Sequence, residues 1–402
     1  MEEKLINKVI FCKKCVESNQ RYMGSIQHLE TKDNIKQRTS IDDGICGACK
    51  YSEIKKKIDW SERERELVEI LNKHRKNDGT YDVLIPGSGG KDTIYLSHVL
   101  KFKYKMNPLT ITWAPHLYTD IGWHNFQAWK KMGFDNELHT PNHLIHRKLT
   151  KLAFVNILHP FQPFVLGQHN LAPKLALEKK INLIIYGDAY FEKGVGGNLY
   201  NISGHKNTAL FHSNSEDLYF GGVHKSELEK YNITKNDIYP YIPLKNKEKE
   251  LESLTALNLP YYLNYNPQSN FYFASENSDF KVNPYRSEGT YTKYSSLDDK
   301  LDNLHFYTWF IKTGRGRATE DAALEVRNGI ITRSEAVALV KKYDGEFPKR
   351  YFKEILDYLD MNEADFFKVI DSFRPKHIWK KNQSQWELKQ AVWMEDKKNE
   401  PK

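Results

Sequence analysis

Between Tyr81 and Leu100 an apolar run, Tyr81-Asp-Val-Leu-Ile85, passes through Pro86-Gly-Ser-Gly-Gly-Lys-Asp-Thr93 into a second apolar stretch, Ile94 to Leu100. The first run reads as a buried strand and the second as a helix. A turn built of glycines lets backbone N–H groups approach an anion closely. The helix that follows adds its free N-terminal N–H groups and the positive end of its dipole. Ser88 and Thr93 supply hydroxyl donors and Lys91 supplies a charge. The segment predicts a phosphate cradle. It is not Walker A, because the GxxxxGK[ST] spacing is absent. Asp92, in the first helical turn, also suits the helix dipole.

The rest of the chain repeats the alternation. Leu109-Thr-Ile-Thr-Trp113 and Ile181-Asn-Leu-Ile-Ile-Tyr186 read as strands, and residues 124–133 as a helix ending at Gly133. Strands alternating with helices predict an α/β fold with a parallel, doubly wound sheet. Before it, Ser61 and Glu64 suggest a capping box ahead of Leu67, Val68, Ile70 and Leu71. From Phe191 to Gly222 the chain is rich in Gly, Asn and Ser, and a loop of that length is usually functional or disordered. From Leu301 the pattern turns helical. Thr319 is read as a cap for a helix that Asn328-Gly329 ends, and Thr332 with Glu335 as a capping box. Shorter helices follow near 349–359 and 363–373. The tail after Lys380 is polar and expected to fray.

All four cysteines fall in the first 49 residues, as Cys12-Lys-Lys-Cys15 and Cys46-Gly-Ala-Cys49. Two CxxC pairs can converge on one tetrahedral metal, most often Zn2+. The intervening loop is longer than the common one but closes at little extra entropic cost. Two disulfides or a redox pair are the competing readings. The expected cytoplasmic setting disfavours the first, and a redox motif needs only one pair. The division that follows is a zinc-knuckle region over 1–58, the sheet domain over 59–300, a C-terminal helical region over 301–380 and a polar tail over 381–402.

Composition excludes several classes. With 402 residues, 40% hydrophobic and 28% charged, the chain is neither disordered nor collagen-like. No run of apolar residues is long enough to span a membrane, and the N-terminal Met1-Glu2-Glu3-Lys4 lacks the apolar core of a signal peptide. A cytoplasmic location without membrane partners is expected. The net charge of +8 is diffuse and mild. It suits phosphate-bearing ligands, and nucleic acid is not the expected partner.

The string Ser88-Gly-Gly-Lys-Asp-Thr93 resembles the PP-loop of ATP pyrophosphatases, SGGxD[ST]. More of the chain is similar to the N-acetyl sugar amidotransferase family within that superfamily. The strings are Gly44-Ile-Cys-Gly-Ala-Cys49, the PP-loop, Tyr285-Arg-Ser-Glu-Gly-Thr-Tyr-Thr-Lys-Tyr-Ser-Ser-Leu-Asp-Asp-Lys300, Gly314-Arg-Gly-Arg-Ala-Thr319 and Arg327-Asn-Gly329. Members act in making bacterial surface sugars, including pseudaminic and legionaminic acids and lipopolysaccharide aminosugars. The resemblance implies ATP and Mg2+ at Ser88, Gly89, Gly90, Lys91, Asp92, Thr93, Gly187 and Asp188, with Lys91 and Asp92 as catalytic residues. Asp188 stands where a Glu is expected, which keeps the charge and shortens the reach.

The implied reaction adenylylates the oxygen of an N-acetyl group on a sugar or nucleotide sugar and replaces it with nitrogen. Candidate substrate-binding residues are Arg286, Glu288 and Lys293, in a run rich in Tyr and Ser that suits a sugar, and Arg315 and Arg317, just before a helix N-terminus, where a sugar acid's carboxylate or a nucleotide phosphate would suit the two guanidinium groups. Their alternative reading is ordinary loop and surface charge. Asp120 and His124 follow the second strand, where open α/β sheets bind ligands. With every cysteine assigned to metal, the chain has no glutaminase nucleophile, so a separate glutaminase subunit is the expected ammonia source. Two other readings are a tRNA-modifying PP-loop enzyme, for thiolation or lysidine formation, and a non-enzymatic zinc scaffold. A thiolase usually has catalytic cysteines near its PP-loop, and this chain has none there. The intact Ser88, Lys91, Asp92 and Thr93 argue against a decayed loop.

Overall fold

The computed structural model describes residues 8–20, 40–187, 189, 192, 203–206 and 218–399. Asp188, the insert from Glu30 to Arg38 and most of the stretch from Phe191 to Gly222 lie outside the described residues. The core is a five-stranded, all-parallel sheet. Its strands are β1 (Val83–Pro86), β2 (Pro108–Trp113), β3 (Asp135–His139), β4 (Leu183–Tyr186) and β5 (Thr255–Asn258), in the spatial order β3-β2-β1-β4-β5. That order reverses direction between β1 and β4.

The two faces follow from side-chain alternation along each strand. Val83, Ile85, Leu183 and Ile185 pack on one face against Leu67 and Leu71 of α1 (Trp60–His74) and Leu96 of α2 (Lys91–His98). Leu84, Leu109, Ile111 and Ile184 pack on the other. There they meet Ala172, Leu175 and Ala176 of α5 (Gln162–Glu178), a helix that follows α3 (Asp120–Lys131) and α4 (His143–Ile157). Strands buried on both faces read as continuous apolar runs, which is why β1, β2 and β4 were visible in the sequence. The edge strand β3, Asp-Asn-Glu-Leu-His, carries no such pattern.

Asp59, not Ser61, caps α1: its carboxylate accepts the N–H groups of Ser61 at 2.9 Å and Glu62 at 3.2 Å. Trp60 is already helical, which places Ser61 inside the first turn.

After α6 (Pro267–Asn277) the chain becomes helical, as expected: α7 (Asp302–Thr313), α8 (Arg317–Arg327), α9 (Arg333–Tyr343), α10 (Phe352–Leu359) and α11 (Glu363–Ser372). Thr332 and Glu335 form the capping box of α9. Thr319 does not cap α8. Gly316 holds the cap position, and the carboxylate of Asp344 accepts from Gly316 N at 2.9 Å, Thr319 N at 3.1 Å and the Thr319 hydroxyl. Of these helices α7, α10 and α11 share one core with α4: Phe154 packs with Leu304, Ile311, Leu359, Phe366 and Ile370.

Over residues 381–399 the tail, expected to fray, is structured instead. An antiparallel hairpin, β6 (Trp379–Asn382) with β7 (Gln385–Leu388), precedes α12 (Val392–Asn399). Trp379 and Leu388 anchor it in the same core, a pairing hidden within a polar run. Among the described residues no helix is long and apolar enough to cross a membrane.

Candidate active site and metal centre

The turn from Pro86 to Gly90 leaves β1 and enters α2 at Lys91, with Gly90 as the residue before the helix. It therefore sits where the strand order reverses, the place at which open α/β sheets bind ligands. Gly89 has φ +85°, and a Cβ there would come within 2.8 Å of the Asn125 carbonyl oxygen and 2.9 Å of Phe126 Cα. Both are backbone atoms of α3, so only glycine fits. A pocket of about 340 Å³ lies at the carboxyl ends of β1, β2 and β4. Ser88, Asp92, Thr93, Trp113, Tyr186 and Gly187 are among the residues that line it.

Lys91 Nζ lies 2.6 Å from Asp92 Oδ2, and Asp92 Oδ1 accepts a hydrogen bond from Asn270 Nδ2 of α6 at 2.8 Å. Lys91 is also 5.8 Å from the ring centre of Tyr294. The pocket thus combines the carboxylate of Asp92 and the hydroxyls of Ser88 and Thr93 at a helix N-terminus, with Lys91 paired to that carboxylate, an arrangement that suits a phosphate ligand. Mg2+ takes oxygen ligands and is usually held through one or two carboxylates plus substrate phosphates. Asp92, partly exposed at the pocket, fits that role.

Three further residues stand at this site that the sequence does not single out as site residues. Lys206 lines the pocket with its ammonium 4.0 Å from the ring centre of Tyr186. It is placed there because residues 204–206 run along β5, with Lys206 N donating to Ala256 O at 2.7 Å and Asn258 N to Gly204 O at 2.8 Å. Asp298 and Asp302 lie beside the cradle. Burial pushes the Asp298 carboxyl up, and hydrogen bonds from Ser88 and Asp302 oppose that rise. Burial and the charges of Asp298 and Asp299 push Asp302 well up. The string Leu297-Asp-Asp-Lys300 was visible in the sequence, but its position against Ser88 depends on the fold.

The candidate sugar residues are divided. Arg317 pairs with Asp321 at 2.9 Å, lies 4.5 Å from the Phe306 ring centre and shares the neighbourhood of Tyr294 and Asp302 with the cradle. Arg315 points elsewhere. It is 2% exposed and is held by Glu17, through Nε and through Nη2 at 3.0 Å, and by Glu320 at 3.4 Å. Arg286 forms a two-pronged pair with Glu346 at 2.5 and 2.7 Å. Glu288 accepts from the backbone N–H groups of Lys349 and Arg350 at 2.9 and 3.0 Å. Lys293 is exposed and donates to Pro284 O at 3.1 Å. Asp120 opens α3, and His124 Nε2 lies 2.8 Å from the Asp279 carbonyl oxygen.

The four cysteines converge. Their sulfurs all lie within 4.8 Å of one another, with Cys12–Cys49 at 3.8 Å and Cys15–Cys46 at 3.7 Å. Four sulfurs about 2.3 Å from one tetrahedral zinc would be separated by about 3.8 Å. The cluster is therefore capable of coordinating zinc. Hydrogen bonds from the other three sulfurs hold Cys12 low, and those same bonds to Cys12 push Cys15, Cys46 and Cys49 up. The cluster packs on Ala322 and Ala323 of α8 and on Ala336, Val337 and Val340 of α9. Arg327 Nη1 lies 3.8 Å from Cys15 Sγ, which brings a cation to the thiolates. The cysteine cluster is thus fastened to the C-terminal helices.

Comparison with known proteins places the C-terminal region. Residues 288–392 match the family described as LPS biosynthesis protein WbpG-like, C-terminal domain, so a WbpG-like domain is present there. The uncharacterized protein MJ1599 of Methanocaldococcus jannaschii is 34% identical over 67 residues, which is 17% of this chain and 24% of that protein. The chain thus spans about a quarter of the length of that relative. Two solved structures are similar at low level. One, a predicted subunit of tRNA methyltransferase from Methanocaldococcus jannaschii, has 15% identity and a TM-score of 0.26, over 48% of this chain and 75% of that one. The other, the U34-tRNA thiolase NcsA from Methanococcus maripaludis with its [4Fe-4S] cluster, has 14% identity and a TM-score of 0.29, over 84% and 89%. At those scores neither likeness supports a conclusion about this chain.

Proposed function

We propose, for a chain that joins a PP-loop-like parallel sheet to a WbpG-like C-terminal domain, an ATP-dependent, AMP-forming sugar amidotransferase. The observation that carries this reading is the cradle of Ser88 to Thr93 at the reversal of strand order, with Lys91 and Asp92 beside a pocket of nucleotide size. The substrate is an N-acetylated sugar, free or nucleotide-linked, of a bacterial surface glycan.

An acetamido carbonyl carbon is a poor electrophile, and its oxygen must become a leaving group before nitrogen can replace it. The amide oxygen attacks the α-phosphate of ATP, the bond to the β-phosphate breaks, and pyrophosphate leaves. The O-adenylyl imidate then takes ammonia at carbon and expels AMP. The product is an acetamidine, protonated at neutral pH.

In this reading the residues act electrostatically. Lys91, Lys206 and the first N–H groups of α2 stabilise charge growing on pyrophosphate. Mg2+, held by Asp92 and the phosphates, would supply further charge neutralisation. Gly187 leaves room beside Leu96, whose Cδ2 would be 3.6 Å from an added Cβ. Asp188 retains its proposed role at the nucleotide. Arg317, which shares the neighbourhood of Tyr294 and Asp302 with the cradle, is assigned to the substrate. Arg286 and Glu288 shape the loop that covers α8, and Lys293 stands at its exposed side. Ammonia comes from a separate glutaminase: all four cysteines sit in the buried cluster, which leaves none as its nucleophile. For the same reason none is left to carry sulfur for a tRNA thiolation.

The test is mass spectrometry of N-acetyl sugars and their nucleotide-linked forms incubated with the chain, ATP, Mg2+ and ammonium. Exchange of O for NH lowers the sugar mass by about one unit, with AMP and pyrophosphate formed in equal amounts. Release of ADP and phosphate, or no mass change for any N-acetyl sugar, rejects the proposal.

A further inference from the structure

A second cavity, of about 580 Å³, opens between α7, the β6–β7 hairpin and α12, and it shares no lining residue with the nucleotide pocket. Its volume is in the range of small-molecule sites. Tyr307 from α7, Trp386 from β7 and Trp393 from α12 give it aromatic walls. A third indole of the lining, Trp379, is a core residue. Trp379 is 6% exposed and donates its N–H to Ile311 O at 2.6 Å. Trp386 and Trp393 pack only partly against that core and keep surface turned outward.

Two of the three cations of the lining are paired within the chain; the third, Lys389, is exposed and donates to Lys376 O at 2.6 Å, and Asp344 adds a carboxylate that accepts from Gly316 N and Thr319 N. Arg374 bonds Asp371 at 3.0 Å and lies 5.4 Å from the Trp386 ring centre. Lys380 pairs with Glu387 at 3.1 Å. Arg374 and Lys380, neutralised in this way, are poor receptors for a phosphate or diphosphate, and Lys389, with Asp344 in the same lining, leaves no cluster of unpaired cations to capture one. What the lining still offers is donors and acceptors around the indole of Trp393, while the Trp386 ring already carries Arg374 and Lys381 over it. A pyranose matches that surface: its C–H face packs on indole, and its hydroxyls reach the paired groups around the edge.

We propose that this cavity binds a neutral pyranose, at a site separate from the one that handles the nucleotide. The proposal goes beyond the adenylylation reading and does not depend on it. A chain that never made AMP would still bind the sugar.

The experiment uses the full chain without ATP, with methyl β-D-glucopyranoside and N-acetyl-D-glucosamine as probes. Saturation-transfer NMR should show protein contact to the ring protons, with a dissociation constant of about 1 mM or tighter. The indole N–H resonances of Trp386 and Trp393 should move on titration, while that of Trp129, buried in the sheet domain, stays in place. Trp393→Ala should weaken binding at least about tenfold. The resonance shifts are read on the unaltered chain, so they decide the matter even if that variant fails to fold. Absence of saturation transfer, shifts confined to other tryptophans, full binding by a folded Trp393→Ala, or displacement of the sugar by inorganic pyrophosphate would each overturn the proposal.

Discussion

Lys91 and Asp92, neighbours in sequence, are also ion-pair partners at 2.6 Å, and Asn270 fixes the far oxygen of the same carboxylate at 2.8 Å. The lysine is thus parked over the helix start, where the phosphates of ATP would meet it. Lys91→Ala should lower ATP-dependent pyrophosphate release by about 100-fold or more, the usual loss for a charge-stabilising donor. Thermal melting should move little, because Lys91 serves no core. Asn270→Ala should cost less, since it only orients Asp92. Wild-type pyrophosphate release by Lys91→Ala would reject this assignment of the cradle.

Arg315 was a candidate for the sugar, and its surroundings lead to a different expectation. Its guanidinium is buried between Glu17 of the knuckle and Glu320 of α8. Removing one partner of a buried ion pair leaves uncompensated charge and costs about 3–5 kcal/mol. Arg315→Ala should therefore lower the melting temperature sharply and loosen the knuckle, measured as metal lost to a chelator. A variant with unchanged melting and a raised KM for the sugar would instead return Arg315 to the substrate.

Cys46→Ser should lose bound zinc and destabilise the chain, because the cluster and α8 and α9 form one apolar unit. Metal analysis of the purified variant and its melting temperature check this. Chelation of the wild-type chain should lower melting in the same direction. A soluble, metal-free, fully active Cys46→Ser chain would show that the centre does not support the fold.

The sequence exposed those parts of the molecule whose physics is local. The cradle, the three inner strands, the Thr332–Glu335 box and the convergence of the cysteines each depend on residues close together in the chain or on a spacing. What it hid is set by distant partners. Asp344 caps a helix that begins at Arg317, Asp298 reaches Ser88, and Lys206 enters the pocket by running along β5. β3 escaped notice because a polar edge strand has no apolar signature. Arg315 and Arg317 are two residues apart and look alike in sequence, yet the turn into α8 sends one to the knuckle and the other toward the cradle.

Asp344 leads to a pH-dependence whose sign can be worked out. Burial raises its carboxyl from 3.8 to about 6, against the pull of its bonds to Thr319 and Gly316 and the charge of Arg315. The folded chain then holds this proton more tightly than the unfolded chain does. Its stabilising contribution is complete below the unfolded value and is lost as pH rises through the folded one. Asp344→Asn cannot titrate, yet its amide oxygen can still accept from Gly316 and Thr319. The variant should gain stability relative to the wild type as pH rises from 4 to about 6, the folded-state value, and the difference should be flat above that. Denaturant melts of both chains across this range measure it. A stability difference that does not change between those limits would mean that the carboxyl is not raised, and that the α8 cap is an ordinary ionised one at every pH tested.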